Sequence, residues 1–458
     1  MDSQMIDSRR APFGWPTLKL IPGEDCDLQL DSRAADFSRG GWLRITTSID
    51  DREEKILQVI SMKDGSVLGE IDLKFAHSLE PYQFRMEAEA FEAASRHGLR
   101  LRLSQASGPL WILAEGLPEG AASLEPHLLG DLGRDKISAF YQQLSSIATA
   151  QPFGWMEGCV LDAQHDCLES SGYPSWRDAL SNHFALYINS TGELSYEGPR
   201  GTSEDGRIYG IEGALPFAIL AKLHPDHQLV EDALQFYLDL LYTDGRFRNP
   251  ELISAEGSYT IAYPLAVIAQ QRGSEDLAHL AANVLRVRRH SLWRPEGLWL
   301  RHHPDNRRTF RSWARGVAWY LEGLVRTIEH VDNLIDTADL KADLIEVATW
   351  AMSQQRASGL WGCFIDLERT DIDTSGSAGI AAMFARGANL GMLGGSFDRS
   401  ARSCWHGLTQ FLTPDGFLDG AAQSNRGGLP LQEGTYRVLS SMGMGLMGQL
   451  GAAIGCVR

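Results

Sequence analysis

The sequence is poor in everything that would tie it to a membrane, a nucleic acid or a metal. Its opening, MDSQMIDSRRAPFGWP, lacks the uninterrupted apolar run of a signal peptide, and no later stretch approaches a membrane span. Basic residues are in deficit: 42 Lys and Arg against 59 Asp and Glu leave a formal charge of −17, which repels nucleic-acid phosphates. The six cysteines, Cys26, Cys159, Cys167, Cys363, Cys404 and Cys456, have no CxxC spacing. That scatter suits free thiols in a reducing compartment and speaks against a zinc site. There is no Walker loop, no GxGxxG between a strand and a helix, no GxSxG and no HExxH, so nucleotide binding and covalent serine chemistry drop out as leading ideas. The expectation is a cytoplasmic protein that needs neither metal nor cofactor.

What is present falls into two textures. Residues 13 to about 116 carry the two-residue period of strands: Leu43, Ile45, Thr47 and Ile49 alternate, and Leu99, Leu101 and Leu103 alternate with arginines. KILQVISM and SVLGEIDL flank Lys63-Asp64-Gly65, a hairpin turn signal. One helix is expected over 83–97. This pattern predicts an N-terminal antiparallel β-sandwich over 1–116. Residues 117–133, with Pro118, Gly120, Pro126 and Gly130, lack a sustained period and read as a linker.

From 134 to 458 the period becomes helical. Apolar stripes bounded by Gly, Pro or Asp predict helices over 134–150, 155–170, 174–188, 210–223, 227–242, 256–272, 275–290, 313–330, 338–356, 373–391, 397–412 and 432–453. Every second helix opens on a small residue after a polar one. The openings contain Glu157-Gly158, Glu212-Gly213, Glu256-Gly257, Arg315-Gly316, Ser375-Gly376 and Glu433-Gly434 and recur 44 to 60 residues apart. Six antiparallel hairpins of this kind can close into an (α/α)6 barrel, with the recurring helices inside and their N-termini converging. The fold class expected is therefore mainly α: such a barrel behind a β-sandwich.

Converging helix N-termini make an anion pocket, because each presents unpaired N–H groups and partial positive charge. The segment Arg286 to Arg315 adds nine arginines against Glu296 and Asp305. In RSWARGVAWYLEGLVRTIEH, Arg315 and Trp319 lie four apart on one helix face, and Trp313 precedes them. A guanidinium beside a flat aromatic wall suits an acidic sugar. Trp155, Trp299 and Trp361 also fall at or near helix openings, and His302 and His303 stand just ahead of the helix. Glu157, Glu212, Glu256 and Glu433 are the carboxylates at these openings. Two of them in one enclosed pocket would repel and push one pKa upward, as a general acid near neutral pH requires. The helix dipole opposes that, so burial or a like-charged neighbour has to prevail.

SWARGVAW at Ser312 to Trp319 is similar to the W-x-R-G-x-x-W motif of glycoside hydrolase families 88 and 105, the unsaturated glucuronyl and rhamnogalacturonyl hydrolases. DTSGSAGIAAMFARG at Asp373 to Gly387 is similar to their (D/E)-(T/S)-S-(G/A)-S-A run, and EGLWLRHHPD resembles the segment before the first motif. The resemblance runs from about Gly154 to the C-terminus and leaves out the N-terminal β-rich part. It implies an (α/α)6 barrel that removes a 4,5-unsaturated uronic acid from lyase products: an acid protonates C4 of the enol ether, water adds at C5, and the hemiketal opens and expels the sugar. No metal is implied. Glu256, in AEGSYTIAYP, resembles the catalytic aspartate that opens a D-G-x-Y-M-A-x-P-F helix, with the proline one residue late. Glu212, in IEGALP, takes the place of the second aspartate. Both are one methylene longer than Asp. Arg315 and Trp313 are implied to hold the uronate, with Trp319 completing the wall; Trp155, Ser375, Glu157 and His302 complete the candidate set.

Two further readings stay open. The same glutamates suit hydrolysis of a saturated β-glucuronide. A catalytically inert barrel that binds uronides is the third, since fold does not imply function. The partner expected in every case is a small acidic oligosaccharide, with a homodimer as an option for the N-terminal domain.

Overall fold

The computed structural model describes residues 5–6, 9–30, 32–33, 36–198, 201–248 and 252–457. In the N-terminal part, two four-stranded sheets share a core. One is ordered Asp25–Leu28, Leu99–Gln105, Glu54–Ser61, Val67–Lys74; the other Ser32–Arg33, His127–Leu129, Gly41–Thr46, Pro81–Met86. Alternation decides which side chains enter that core: Leu43 and Ile45, Leu57 and Val59, Ile71 and Leu73, and Leu99, Leu101 and Leu103 all point inward. The hairpin turns at Lys63-Asp64-Gly65, where Gly65 takes φ +76°. The helix expected over 83–97 is shorter: α1 is Ala88–His97, because Pro81–Met86 pairs with Gly41–Thr46 as a strand. The stretch expected as a linker has structure of its own. Glu119–Leu124 is a 3-10 turn, and His127–Leu129 joins the second sheet beside Gly41–Thr46.

The rest is mainly helical: α2 (Lys136–Leu144), α3 (Trp155–Ser171), α4 (Ser175–Tyr187), α5 (Phe217–Leu223), α6 (Gln228–Leu240), α7 (Tyr263–Arg272), α8 (Glu275–Leu292), α9 (Ala314–Val331), α10 (Ala338–Ser353), α11 (Thr374–Asn389), α12 (Gly395–Thr409), α13 (Gly428–Glu433) and α14 (Ser441–Ala453). Six of them close a ring by packing in the sequence α3, α5, α7, α9, α11, α14 and back to α3. α4, α6, α8, α10 and α12 each pack on the ring helix before them in the chain, and α2 packs on α14. Ring helices are buried nearly all round: of α9 only Glu329 is partly exposed. The ring's axis is polar. Arg326 of α9 bonds Glu322 at 2.8 Å and Asp166 of α3 at 2.7 Å, while Tyr259 and Tyr263 donate to Asp162 of α3 at 2.5 and 2.7 Å.

Several helix boundaries move from their expected places. The 210–223 helix begins only at Phe217, after Pro216; Glu212 sits in a separate 3-10 turn, Ile211–Gly213. The first helix ends at Leu144. The last ring helix starts at Ser441, its N-terminus capped by the Ser440 hydroxyl, and not at Gln432. Glu433 ends the separate α13 and pairs with Arg369 at 3.1 Å, so the sixth opening read from the repeat is not a ring-helix opening.

Sheets and ring are joined by buried polar contacts. Arg44 meets Asp415 at 3.3 Å, Gln83 donates to Asp419 at 3.0 Å, and Arg426 meets Asp50 at 2.8 Å. Ala421 and Val438, from a strand pair before α14, belong to the sheets' hydrophobic core.

Candidate active site

The ring helices open toward the sheets around a cavity of about 80 Å³. Glu212, Glu256, Trp155, Trp313, Arg315 and Trp319 line it, all expected from the sequence. So do His77, Thr260, Arg301 and the loop Ser424 to Arg426, which sequence reasoning missed.

Trp155 is set by Gly154, whose φ is +131° and where a Cβ would lie 2.4 Å from the Glu212 carbonyl oxygen. Only glycine allows that approach, and it brings the start of α3 against the turn that carries Glu212. Trp155 meets Trp319 edge to face at 5.5 Å, and Trp319 stacks on Tyr259 at 5.9 Å. Because Tyr259 is held by Asp162, the aromatic wall rests on the polar axis of the ring.

Glu256 opens a π turn, Ser258–Ala262, that leads into α7. A π turn takes up one extra residue between Glu256 and α7. Arg301 lies 3.5 Å from Glu256. Burial raises the Glu212 pKa, and the Glu256 carboxylate raises it further, against Arg426, Arg301 and Arg52. The like-charged neighbour and the burial that the sequence argument required are both in place.

Arg315 is 3% exposed, yet its partners are a backbone carbonyl, that of Gln423, and the Trp313 ring, 4.6 Å from its guanidinium carbon. Its Nε is buried without a hydrogen-bond partner, leaving a donor unspent beside the cavity. Burial lowers its pKa, opposed by the nearby Asp373 carboxylate. Trp313 is fixed by a 3.0 Å bond from its indole N–H to Gln432.

Five expected residues lie elsewhere. Glu157 is fully buried, bonded to His183 at 2.7 Å and to the Gln151 N–H at 2.8 Å. Ser375 is fully buried and donates to Asp373, which caps α11. His302 faces away from the cavity into a groove with Tyr242, Phe247 and His303. Strand alternation explains it: Arg301, one residue earlier on Gly297–His302, takes the inward side. Trp361 is core, its indole N–H on the Ala351 carbonyl, and Trp299 is half-buried on the same strand as His302. The nine-arginine segment divides likewise: Arg286 and Arg289 pair with acids of α10, Arg311 with Asp366, and Arg301 and Arg315 reach the cavity. Among the described residues no group of three or more His, Cys, Asp or Glu is placed to hold a metal ion, and no helix is long and apolar enough to cross a membrane.

Residues 260–447 match the family model of Glycosyl Hydrolase Family 88. A comparison with curated proteins gives no match. Among solved structures, the chain is similar to a family 105 glycoside hydrolase of C. acetobutylicum ATCC 824, with TM-score 0.58 and 19% identity over 69% of this chain and 99% of that one. It is also similar to a glycosyl hydrolase family 88 protein of Bacteroides vulgatus, with TM-score 0.54 and 14% identity over 70% and 97% of the two chains. The unsaturated glucuronyl hydrolase of Bacillus sp. GL1 gives TM-score 0.51 and 15% identity over 70% and 94%. The family-model match bears out the resemblance and the reading of the chain as a glycoside hydrolase, and the solved structures of families 88 and 105 share its fold.

Proposed function

Starting from a glycoside hydrolase that resembles families 88 and 105, we propose that the cavity takes the terminal uronic acid of a short acidic oligosaccharide and releases it by hydrating a 4,5 double bond. The closed ring of helices with its outer partners is read as an (α/α)6 barrel over 134–458, and the paired sheets as a β-sandwich over 1–116. Residues 117–133 connect them and add the strand His127–Leu129 to the sandwich.

The observation that carries the reading is one cavity holding two glutamates, a buried arginine with an unspent donor and a wall of tryptophans. Arg315 binds the uronate carboxylate and the indoles face the ring. Glu212, whose pKa burial and the Glu256 carboxylate raise, delivers a proton to C4. Glu256, paired with Arg301, orients the water whose oxygen bonds C5 and whose proton leaves to the carboxylate. The hemiketal so formed opens and expels the aglycone. The same reading has the protein act in the cytoplasm; dimerisation through the sandwich is checked by sedimentation.

The test is loss of enol-ether absorbance from lyase-generated unsaturated disaccharides, with roughly 10²- to 10⁴-fold slower turnover in Glu212→Gln and in Glu256→Gln. Retention of wild-type rates in both variants refutes the assignment. A second reading, hydrolysis of saturated β-glucuronides, is favoured by one observation: both acids are Glu, a methylene longer than the family's Asp. Release from aryl β-glucuronides with no loss of enol-ether absorbance would establish it.

A further inference from the structure

The cavity has one wall that the ring of helices does not supply. The loop between the strands Val67–Lys74 and Pro81–Met86 carries His77 into it. Its backbone is strained on both sides of the histidine: Phe75 has φ +53° and Leu79 φ +63°, left-handed values that are unfavourable for non-glycine residues and persist where surroundings over-determine them. The surroundings do so. The Thr47 hydroxyl donates to the His77 carbonyl at 2.5 Å, Leu79 N–H bonds the Thr47 carbonyl at 2.8 Å, and the buried Glu80 carboxylate accepts the His77 N–H at 2.7 Å.

Held in this way, His77 is 9% exposed as a residue, and no described side chain or backbone group hydrogen-bonds either ring nitrogen. Neither ring nitrogen is sealed from the cavity, so both are open to hydrogen-bond a molecule that occupies it. Burial, and then Arg426, Arg315 and Arg52, lower its pKa and keep it neutral, with one nitrogen to donate and one to accept. Glu80 also accepts from the Gln423 side chain at 2.7 Å, and the Gln423 carbonyl takes the hydrogen bond from Arg315. The loop that presents His77 thereby bears on the guanidinium across the cavity.

We propose that His77 is a substrate-contacting residue which the sandwich contributes to the barrel's site, hydrogen-bonding the terminal uronic ring that Arg315 holds by its carboxylate. Recognition of the terminal ring then needs both domains, and the sandwich is part of the specificity of the enzyme. This rests on the uronide reading of the cavity.

The test uses the full chain, its His77→Ala variant and a His77→Phe variant that keeps a flat ring in place and removes the hydrogen bonds. D-Glucuronate binding is followed by tryptophan fluorescence, since three indoles line the cavity. Both variants are expected to bind about tenfold more weakly, the worth of one well-made hydrogen bond, with melting temperature unchanged for His77→Phe, and His77→Gln is expected to recover part of the loss. On unsaturated disaccharides the same variants are expected to raise KM more than they lower kcat. Binding within twofold of wild type in His77→Phe overturns the proposal. Wild-type glucuronate binding that weakens in the variants, without turnover of any unsaturated substrate, supports His77 and refutes the hydration reading. A wild-type chain that neither binds glucuronate nor turns over any uronide overturns both.

Discussion

Replacing Arg326 with Met probes the polar axis that underlies the site. In the wild type this guanidinium is fully buried and bonds Glu322 at 2.8 Å, Asp166 at 2.7 Å and the Gln449 side chain at 2.8 Å, with Asp162 at 3.8 Å. Removing one partner of a buried ion pair costs about 3–5 kcal/mol, because the other charge stays behind in a low dielectric. Arg386 still meets Asp166 at 2.9 Å, and burial holds the Glu322 carboxyl up at about 8 even beside the guanidinium, so the partner left behind is mainly Asp162, and a loss of about 3 kcal/mol is expected. The pH dependence has a definite sign. In the wild type, burial pushes the Asp166 carboxyl up, but Arg326 and Arg386 more than offset that and hold it well below the usual range. Asp166 therefore adds stability above that range and loses it as pH falls. In Arg326→Met the Glu322 carboxyl loses the guanidinium that opposes its burial and rises further, so the folded state binds more protons than the unfolded one and stability falls as pH rises. Urea denaturation at pH 5.5 and pH 8 measures this: the deficit relative to wild type is expected to be larger at pH 8. A deficit below about 1 kcal/mol at pH 8, or one that does not shrink at pH 5.5, refutes the reasoning. Because Asp162 also holds Tyr259 under Trp319, kcat/KM should fall with stability.

Burial pushes Glu80 up to about 7 against the hydrogen bonds it accepts. The folded state keeps a proton that the unfolded state releases, so stability should fall by about 3 kcal/mol between pH 4.5 and pH 7. Glu80→Gln should flatten that slope in urea titrations, and an unchanged slope would show that Glu80 is ionised in the fold. Arg315→Lys should raise KM for a uronide at least about tenfold, since an ammonium cannot reproduce the fork of a guanidinium on a carboxylate; steady-state kinetics decides. Gly323→Ala places a Cβ 2.4 Å from Ser258 where α9 meets the turn after Glu256. It should cost about 1–3 kcal/mol in chemical denaturation and lower kcat by shifting Glu256.

Periodicity located the helices because each ring helix has one partner in the outer layer and caps that can be read, such as Asp373 before α11 and Ser274 before α8. It failed where local chemistry overrides period. Pro216 delays α5, and the Gln432–Glu433 opening looked like its five counterparts although it belongs to the short α13. Of the site, Glu212, Glu256, Trp155, Trp313, Arg315 and Trp319 were legible as residues at helix openings. Glu157 and Ser375 share that signature, but point into the core, and the repeat has no term for direction. Strand alternation in LWLRHH could have chosen Arg301 over His302. His77 and Arg426 carried no signal, for one lies in a loop between two strands of the sheets and the other in the short 3-10 turn Asn425–Gly427, and only tertiary structure brings them together.

The ring closes between α3 and α14, and Gln449 donates to the Cys159 carbonyl across 290 positions of sequence. A ribosome delivers the chain in order, and every strand of the two sheets has been made by Leu129. The sheets can therefore assemble while the helices are still being synthesised, but the helical circle cannot be completed until its last member emerges. Until then α3 and α11 each present an unpaired apolar side to the cell. Contacts this distant in sequence form slowly, and the interval is one of exposure to chaperones and to aggregation. A stop codon a few residues before Ser441 would leave an open circle in place of a slightly shorter enzyme.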